Sequence, residues 1–157
     1  MSIDRLIARG PNNGEARWVV GDFCQIKLDG KESGGALSVV EVLVLPRAPG
    51  PPPHTHRRED EIFYVIEGVI AAQAGDRQLK GEAGSLLRLP KDVQHTWRNP
   101  SDAPTRMLVI LTPGGFEQFF LEVGQPGTRD KAPVDPPNIE QLLAAAARYG
   151  LEIAPPR

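Results

Sequence analysis

Hydrophobic positions in this chain fall in short runs, cut off from one another by glycine and proline. That rhythm belongs to short strands rather than to long helices. Residues 17–20, 23–28, 37–45, 54–56, 61–67, 69–74, 78–80, 85–89, 95–99 and 106–112 read as strands. Cys24, Ile26 and Leu28 share one face of their run, and Glu61, Phe63 and Val65 share one face of theirs. Residues 39–45 are apolar on both faces, as expected inside a two-layered structure. Glu67-Gly68 is expected to form a tight hairpin turn, and Gly75-Asp76 another. The period changes near the end. Phe116, Phe119, Phe120 and Val123 stand at helical spacing as a packing face. Asn138 with Gln141 looks like a helix cap, followed by the apolar face Ile139, Leu142, Leu143 and Ala146. Arg148 suits the last turn of that helix and Gly150 its C-terminal cap. No strand–helix alternation appears, so the fold class is all-β, a sandwich or barrel with one or two C-terminal helices.

Length and charge narrow the picture. At 157 residues the chain fits one domain. Within it, 1–35 are a lead-in with N-terminal strands, 36–113 the core, and 114–157 a helical extension. The net charge of −2, with no long basic run, gives no reason to expect nucleic acid. No stretch is long and apolar enough to span a membrane, and the N-terminus lacks a signal-peptide core, so a cytoplasmic protein is expected. The single Cys24 excludes an intrachain disulfide and reads as a small buried hydrophobe. The Pro-rich stretch 49–53 makes a stiff approach to His54.

Three histidines occur in the chain, and they fall in two places. His54 and His56 are two apart, so on a strand they point the same way. Glu61 heads the next apolar run, and His95 heads a later one. A histidine pair on a strand is by itself a weak signal, and Glu59-Asp60-Glu61 could be a solvated acidic turn. Brought together, three imidazoles and one carboxylate would make a mixed nitrogen–oxygen site for a divalent first-row metal. With no thiolate in the set, Fe, Mn, Ni, Cu, Co and Zn all remain open.

The spacing carries a family resemblance. From His54, the pattern runs H-x-H, four residues, Glu61, six residues, Gly68. After fifteen residues it runs Gly84, five residues, Pro90, one residue, Asp92, two residues, His95, three residues, Asn99. These resemble the two cupin motifs. Thr112-Pro113-Gly114-Gly115-Phe116-Glu117 and the closing Arg148-Tyr149-Gly150 are similar to single-domain cupins related to quercetin dioxygenases. Two positions depart from the pattern. Gly50 stands closer to the first histidine than is usual, and Asp92 replaces a glycine.

The resemblance implies a double-stranded β-helix, the small jelly-roll barrel, with its core over 36–113. It implies one divalent metal per chain on His54, His56, Glu61 and His95, with Glu61 also accepting the substrate's proton. Strand parity puts Phe63, Trp97 and Asn99 beside the metal as cavity residues. Ile62, Tyr64 and Ile66 face the other way and need cover, and many cupins are dimers, so a homodimer is expected. Three functions follow. The first is a dioxygenase-like oxidoreductase acting on a small enol or phenol, such as a flavonol or diketone, with dioxygen as co-substrate. The second is a metal-dependent isomerase or lyase using the ion as a Lewis acid. The third is a non-enzymatic binder of a small metabolite. With every histidine committed to the metal, proton transfer falls to Tyr, Asp or Glu, which favours the first.

Overall fold

The computed structural model describes residues 6–155; residues 1–5 of the expected lead-in and 156–157 of the expected extension lie outside the described residues. The strands are β1 (Ala16–Val19), β2 (Asp22–Leu28), β3 (Ser38–Val44), β4 (His54–His56), β5 (Asp60–Glu67), β6 (Val69–Ala74), β7 (Arg77–Glu82), β8 (Leu86–Leu89), β9 (His95–Arg98) and β10 (Thr105–Thr112). Helices α1 (Glu117–Val123) and α2 (Ile139–Arg148) and a short β11 (Leu151–Ile153) complete the order. Two antiparallel sheets form, β1-β2-β3-β10-β5-β8 and β11-β4-β9-β6-β7. This is the two-layered jelly roll expected for an all-β chain with C-terminal helices.

Period-2 burial shows which side faces the core. Met107, Val109 and Leu111 of β10 are buried, while the residues between them are partly exposed. Glu61, Phe63 and Val65 of β5 turn inward in the same way. Phe63 is fully buried, a contribution of about 2–3 kcal/mol for a side chain of its size. Glu61 is therefore placed at the barrel interior by the same alternation that buries Phe63 and Val65.

One turn differs from the expectation. β5 and β6 do not form a hairpin: they belong to different sheets, and Gly68 is the corner between them. Both edges of β5 are already taken by β10 and β8. Gly68 has φ of 84°, and a Cβ there would lie 2.6 Å from Thr105 Oγ1. That hydroxyl also donates to Val69 O and accepts from Val69 N, pinning the corner. The expected Gly75-Asp76 hairpin does form, joining β6 to β7.

The C-terminal helices close one end of the barrel. Asn138 caps α2 by accepting from Gln141 N at 3.0 Å. Gly150 follows the helix at φ 68°. The chain then adds β11, a strand absent from the sequence reading, which pairs with β4. This short strand shields the β4 edge that carries two of the histidines.

Candidate metal centre

The five-stranded sheet supplies the imidazoles. His54 and His56 are the two ends of β4, and His95 opens β9. The β4–β9 register pairs His54 directly with His95, with ring centroids 4.5 Å apart. Glu61 arrives from the opposite sheet, where its cross-strand neighbours are Leu111 and Leu89. Ligand-type atoms of His54, His56, Glu61 and His95 all lie within 4.8 Å of one another, and all four residues are buried. Glu61 Oε2 is 2.9 Å from His95 Nε2 and 3.4 Å from His56 Nε2.

The far sides of the His54 and His95 rings are tied down, and that of His56 is faced by a carboxylate. His54 Nδ1 is 2.9 Å from Pro52 O, and His95 Nδ1 is 3.2 Å from Val93 O. His56 Nδ1 faces Glu59 Oε2 at 3.5 Å, and neither atom has a hydrogen-bond partner. Acceptors at Nδ1 fix the tautomer and leave Nε2 lone pairs aimed inward, as metal-binding imidazoles require. The Pro-rich loop that positions His54 is itself clamped. Thr96 Oγ1 donates to Pro51 O at 2.6 Å. Gly50, at φ 73°, lies so close to Trp97 O that a Cβ would approach to 1.6 Å.

Electrostatics agree with a cation site. Burial, then the neighbouring His95, push the His54 imidazole down to about 4. Burial pulls His56 down as well, but the Glu61 and Glu59 carboxylates outweigh it and hold the ring up at about 9. Burial alone would raise the Glu61 carboxyl, yet His56 and His95 keep it well below the usual carboxylate range. A buried carboxylate facing imidazoles is a negative centre waiting for positive charge, which the His56 proton supplies in the absence of an ion. The donor set and its close convergence fit one divalent transition metal.

Comparison with known proteins agrees. Residues 40–111 match the cupin domain family. These residues are a cupin domain. The chain is 31% identical over 83 residues to quercetin 2,3-dioxygenase of Bacillus subtilis (strain 168), which covers 53% of this chain and 24% of that enzyme. It thus spans about a quarter of that curated relative's length. Among solved structures, KdgF from Halomonas sp. superposes with a TM-score of 0.57 at 19% identity, over 66% of this chain and 90% of its own. A cupin-superfamily sugar phosphate isomerase from Silicibacter pomeroyi does so with a TM-score of 0.51 at 26% identity, over 59% of each chain. The chain therefore carries a cupin domain over 40–111 and, over about half of its length, is similar to quercetin 2,3-dioxygenase.

His54, His56 and Glu61 open onto a cavity of about 770 Å³ between the barrel and its C-terminal helices. Its walls are mostly apolar, with Phe116, Phe119, Phe120, Leu142 and Val109 among them. Of the three residues expected beside the metal, only Trp97 lines this cavity. Phe63 lies beneath it, packed edge-on against the Trp97 ring at 5.1 Å, and belongs to the core. Asn99 serves the backbone instead. Its Nδ2 donates to Leu45 O and Ala103 O, and its Oδ1 accepts from Ser101 N and Oγ. Strand parity points Asn99 inward, but β9 ends at Arg98, so the alternation no longer applies there.

Other acidic residues matter around the site. Glu59 is not part of a solvated turn: it is 6% exposed and backs His56. Asp60 does face away, accepting from Arg88 Nη2 and Lys91 N. Asp22, on β2, is buried in the cavity wall. Asp92, the departure from the glycine pattern, has φ of 66°, a region that Asp tolerates better than most side chains. Its carboxylate accepts from Arg57, which also bonds Glu152 of β11. That bridge ties the second motif to β4 and β11.

Proposed function

We propose that this cupin is a metal-dependent, dioxygenase-like oxidoreductase acting on a small, largely apolar enol or phenol such as a flavonol or diketone. The observation that carries the reading is the cavity lining. The metal-ligating cluster sits in an aromatic and aliphatic chamber, and no Lys or Arg lines it. A planar, weakly polar ring fits such a wall, whereas a phosphorylated or polycarboxylate substrate would leave its charges desolvated and unpaired. Resemblance to quercetin 2,3-dioxygenase supports the same choice.

His54, His56, Glu61 and His95 would hold one Fe, Mn, Ni, Cu, Co or Zn ion, which when bound supplies Lewis-acid and dioxygen chemistry at open coordination positions. Glu61 would also accept the hydroxyl proton of the substrate, and its Oε2, already 2.9 Å from His95 Nε2, can share the proton's charge with that imidazole. Glu59 keeps His56 oriented. The Phe116, Phe119 and Phe120 rings exclude water and flank the substrate plane.

A second reading, a metal-dependent isomerase or lyase, draws on Asp22, an acid in the cavity wall that is not among the proposed ligands. Oxygen uptake separates the two. Metal-reconstituted protein with flavonols or β-diketones should consume dioxygen in proportion to substrate lost. Substrate conversion under argon at the aerobic rate would establish the isomerase or lyase instead. The same reading takes the protein as a cytoplasmic homodimer. Tyr64 and Leu86, paired across β5 and β8, are 42% and 63% exposed and offer an apolar outer face for a second copy. Light scattering at micromolar concentration would give a single-chain mass if that is wrong. Among the described residues no helix is long and apolar enough to cross a membrane.

A further inference from the structure

Asp22 is hard to explain as a structural residue. It opens β2 directly after the β1–β2 turn, where an aspartate usually bonds the turn's own amides. Here Val20 and Gly21 make the turn themselves, with φ of 48° and 92°. The residue is only 7% exposed, and among the described residues the one side chain turned towards its carboxyl is the Trp97 indole. A buried carboxyl with so little polar company costs free energy and needs a reason. Its surroundings suggest one. Asp22 lines the same cavity as His54, His56 and Glu61. It also lies within electrostatic reach of Cys24, as does Glu61; burial first, and then these two carboxylates, push that thiol up.

An unpartnered donor stands nearby. Trp97 Nε1 is buried and has no hydrogen-bond partner. The ring lines the cavity and touches the metal centre's edge, with its centroid 5.5 Å from that of His54. Burial pushes the Asp22 carboxyl up to about 7, and only the Trp97 indole pulls against it. The two groups are therefore neighbours. One is an acceptor and the other a donor, and the donor lacks a well-formed hydrogen bond in an otherwise apolar wall.

We infer that Asp22 and the Trp97 N–H form a second polar position in the cavity, built to hold a hydroxyl of the bound molecule. The hydroxyl donates to the Asp22 carboxyl oxygen and accepts from Trp97 Nε1, so the indole N–H gains a partner and the carboxyl a neutral donor. Resting on the enol or phenol reading above, the ligand class is a ring compound with two polar ends. One end reaches the metal centre, and a separate hydroxyl reaches Asp22. A molecule lacking that hydroxyl leaves the buried Trp97 N–H without a well-formed partner, which is how such sites discriminate.

The test uses small probes and no turnover. Metal-free protein, in which the phenol hydroxyl has no ion to bind, is titrated with phenol and with toluene, which has nearly the same shape but no hydroxyl. Affinity is measured by calorimetry, and the position of the bound probe is followed by the 15N-labelled indole N–H resonances. Trp18 is an internal control, because its Nε1 donates to Thr128 O at 2.9 Å. Phenol should bind about tenfold more tightly than toluene, the scale of one well-made buried hydrogen-bond pair. It should move the Trp97 resonance and not that of Trp18. In Asp22→Ala the preference should fall to about twofold or less. Trp97→Phe removes the donor but keeps an aromatic wall, and should fall between the two. A phenol preference that survives both substitutions, or no preference in the wild-type protein, overturns the inference. Oxygen chemistry does not enter, so a failed oxygen-uptake assay would count against the dioxygenase reading and leave this result standing.

Discussion

Metal binding to this site should release a proton, and the structure sets the size of the effect. His56 is held protonated up to about 9 in the metal-free protein, because Glu61 and Glu59 outweigh the burial that lowers it. His54, at about 4, is already neutral near pH 7. A metal needs the neutral imidazole, so at pH 7 it must displace the His56 proton about two pH units below that group's titration. Each unit is 1.36 kcal/mol, so the displacement costs about 3 kcal/mol, roughly a hundredfold in affinity. Zinc affinity, measured by competition with a chelator of known proton affinity, should rise about tenfold per pH unit from 7 to 9 and then level off. Calorimetry at pH 7 in buffers of different ionisation enthalpy should find about one proton released per ion. The same group fixes the sign of stability. Its pKa is raised above the unfolded value, so its contribution is complete below pH 6.5 and is lost as pH rises through 9. The metal-free protein should therefore lose up to about 3 kcal/mol across that window. No proton release and a flat affinity profile would mean that His56 is neutral before the metal arrives, and the charge balance described here would be wrong.

Two substitutions probe the parts separately. Glu59→Gln removes the charge behind His56 and should weaken zinc binding about 10- to 100-fold, the usual effect of losing a ligand's supporting partner, while circular dichroism stays unchanged. Unaltered affinity would remove Glu59 from the site. Glu61→Gln keeps an oxygen toward the imidazoles but loses the proton-accepting carboxylate. It should retain part of the metal and lose most turnover in the oxygen-uptake assay, and full turnover would exclude Glu61 as the base.

What could be read from the sequence followed from local rules. Glu61 was legible because β5 alternates strictly, and one face of it runs Glu61, Phe63, Val65 into the core. The two-residue spacing of His54 and His56 is a strand property in the same sense. The misses come from long-range structure. Glu67-Gly68 looks like any hairpin, and only the pairing of β5 with both β10 and β8 turns it into a corner between sheets. β11 is three residues long and exists because β4 is there to pair with it. Glu59 and Asp22 look like ordinary acidic loop and turn residues. Their burial depends on elements distant in sequence, the histidine cluster for one and the cavity wall for the other. Asn99 shows the reverse failure: its parity was right, but the strand ends one residue before it.

The most direct test of the central claim is the metal content of the purified, tag-free protein by elemental analysis, with His56→Ala beside it. The structure predicts about one divalent transition-metal ion per chain, lost in the variant, whose circular dichroism should remain that of a folded barrel because the core is hydrophobic and does not depend on the ion. A wild-type protein that stays metal-free after reconstitution, or a variant that holds as much metal as the wild type, would contradict the assignment of His54, His56, Glu61 and His95 as a metal centre.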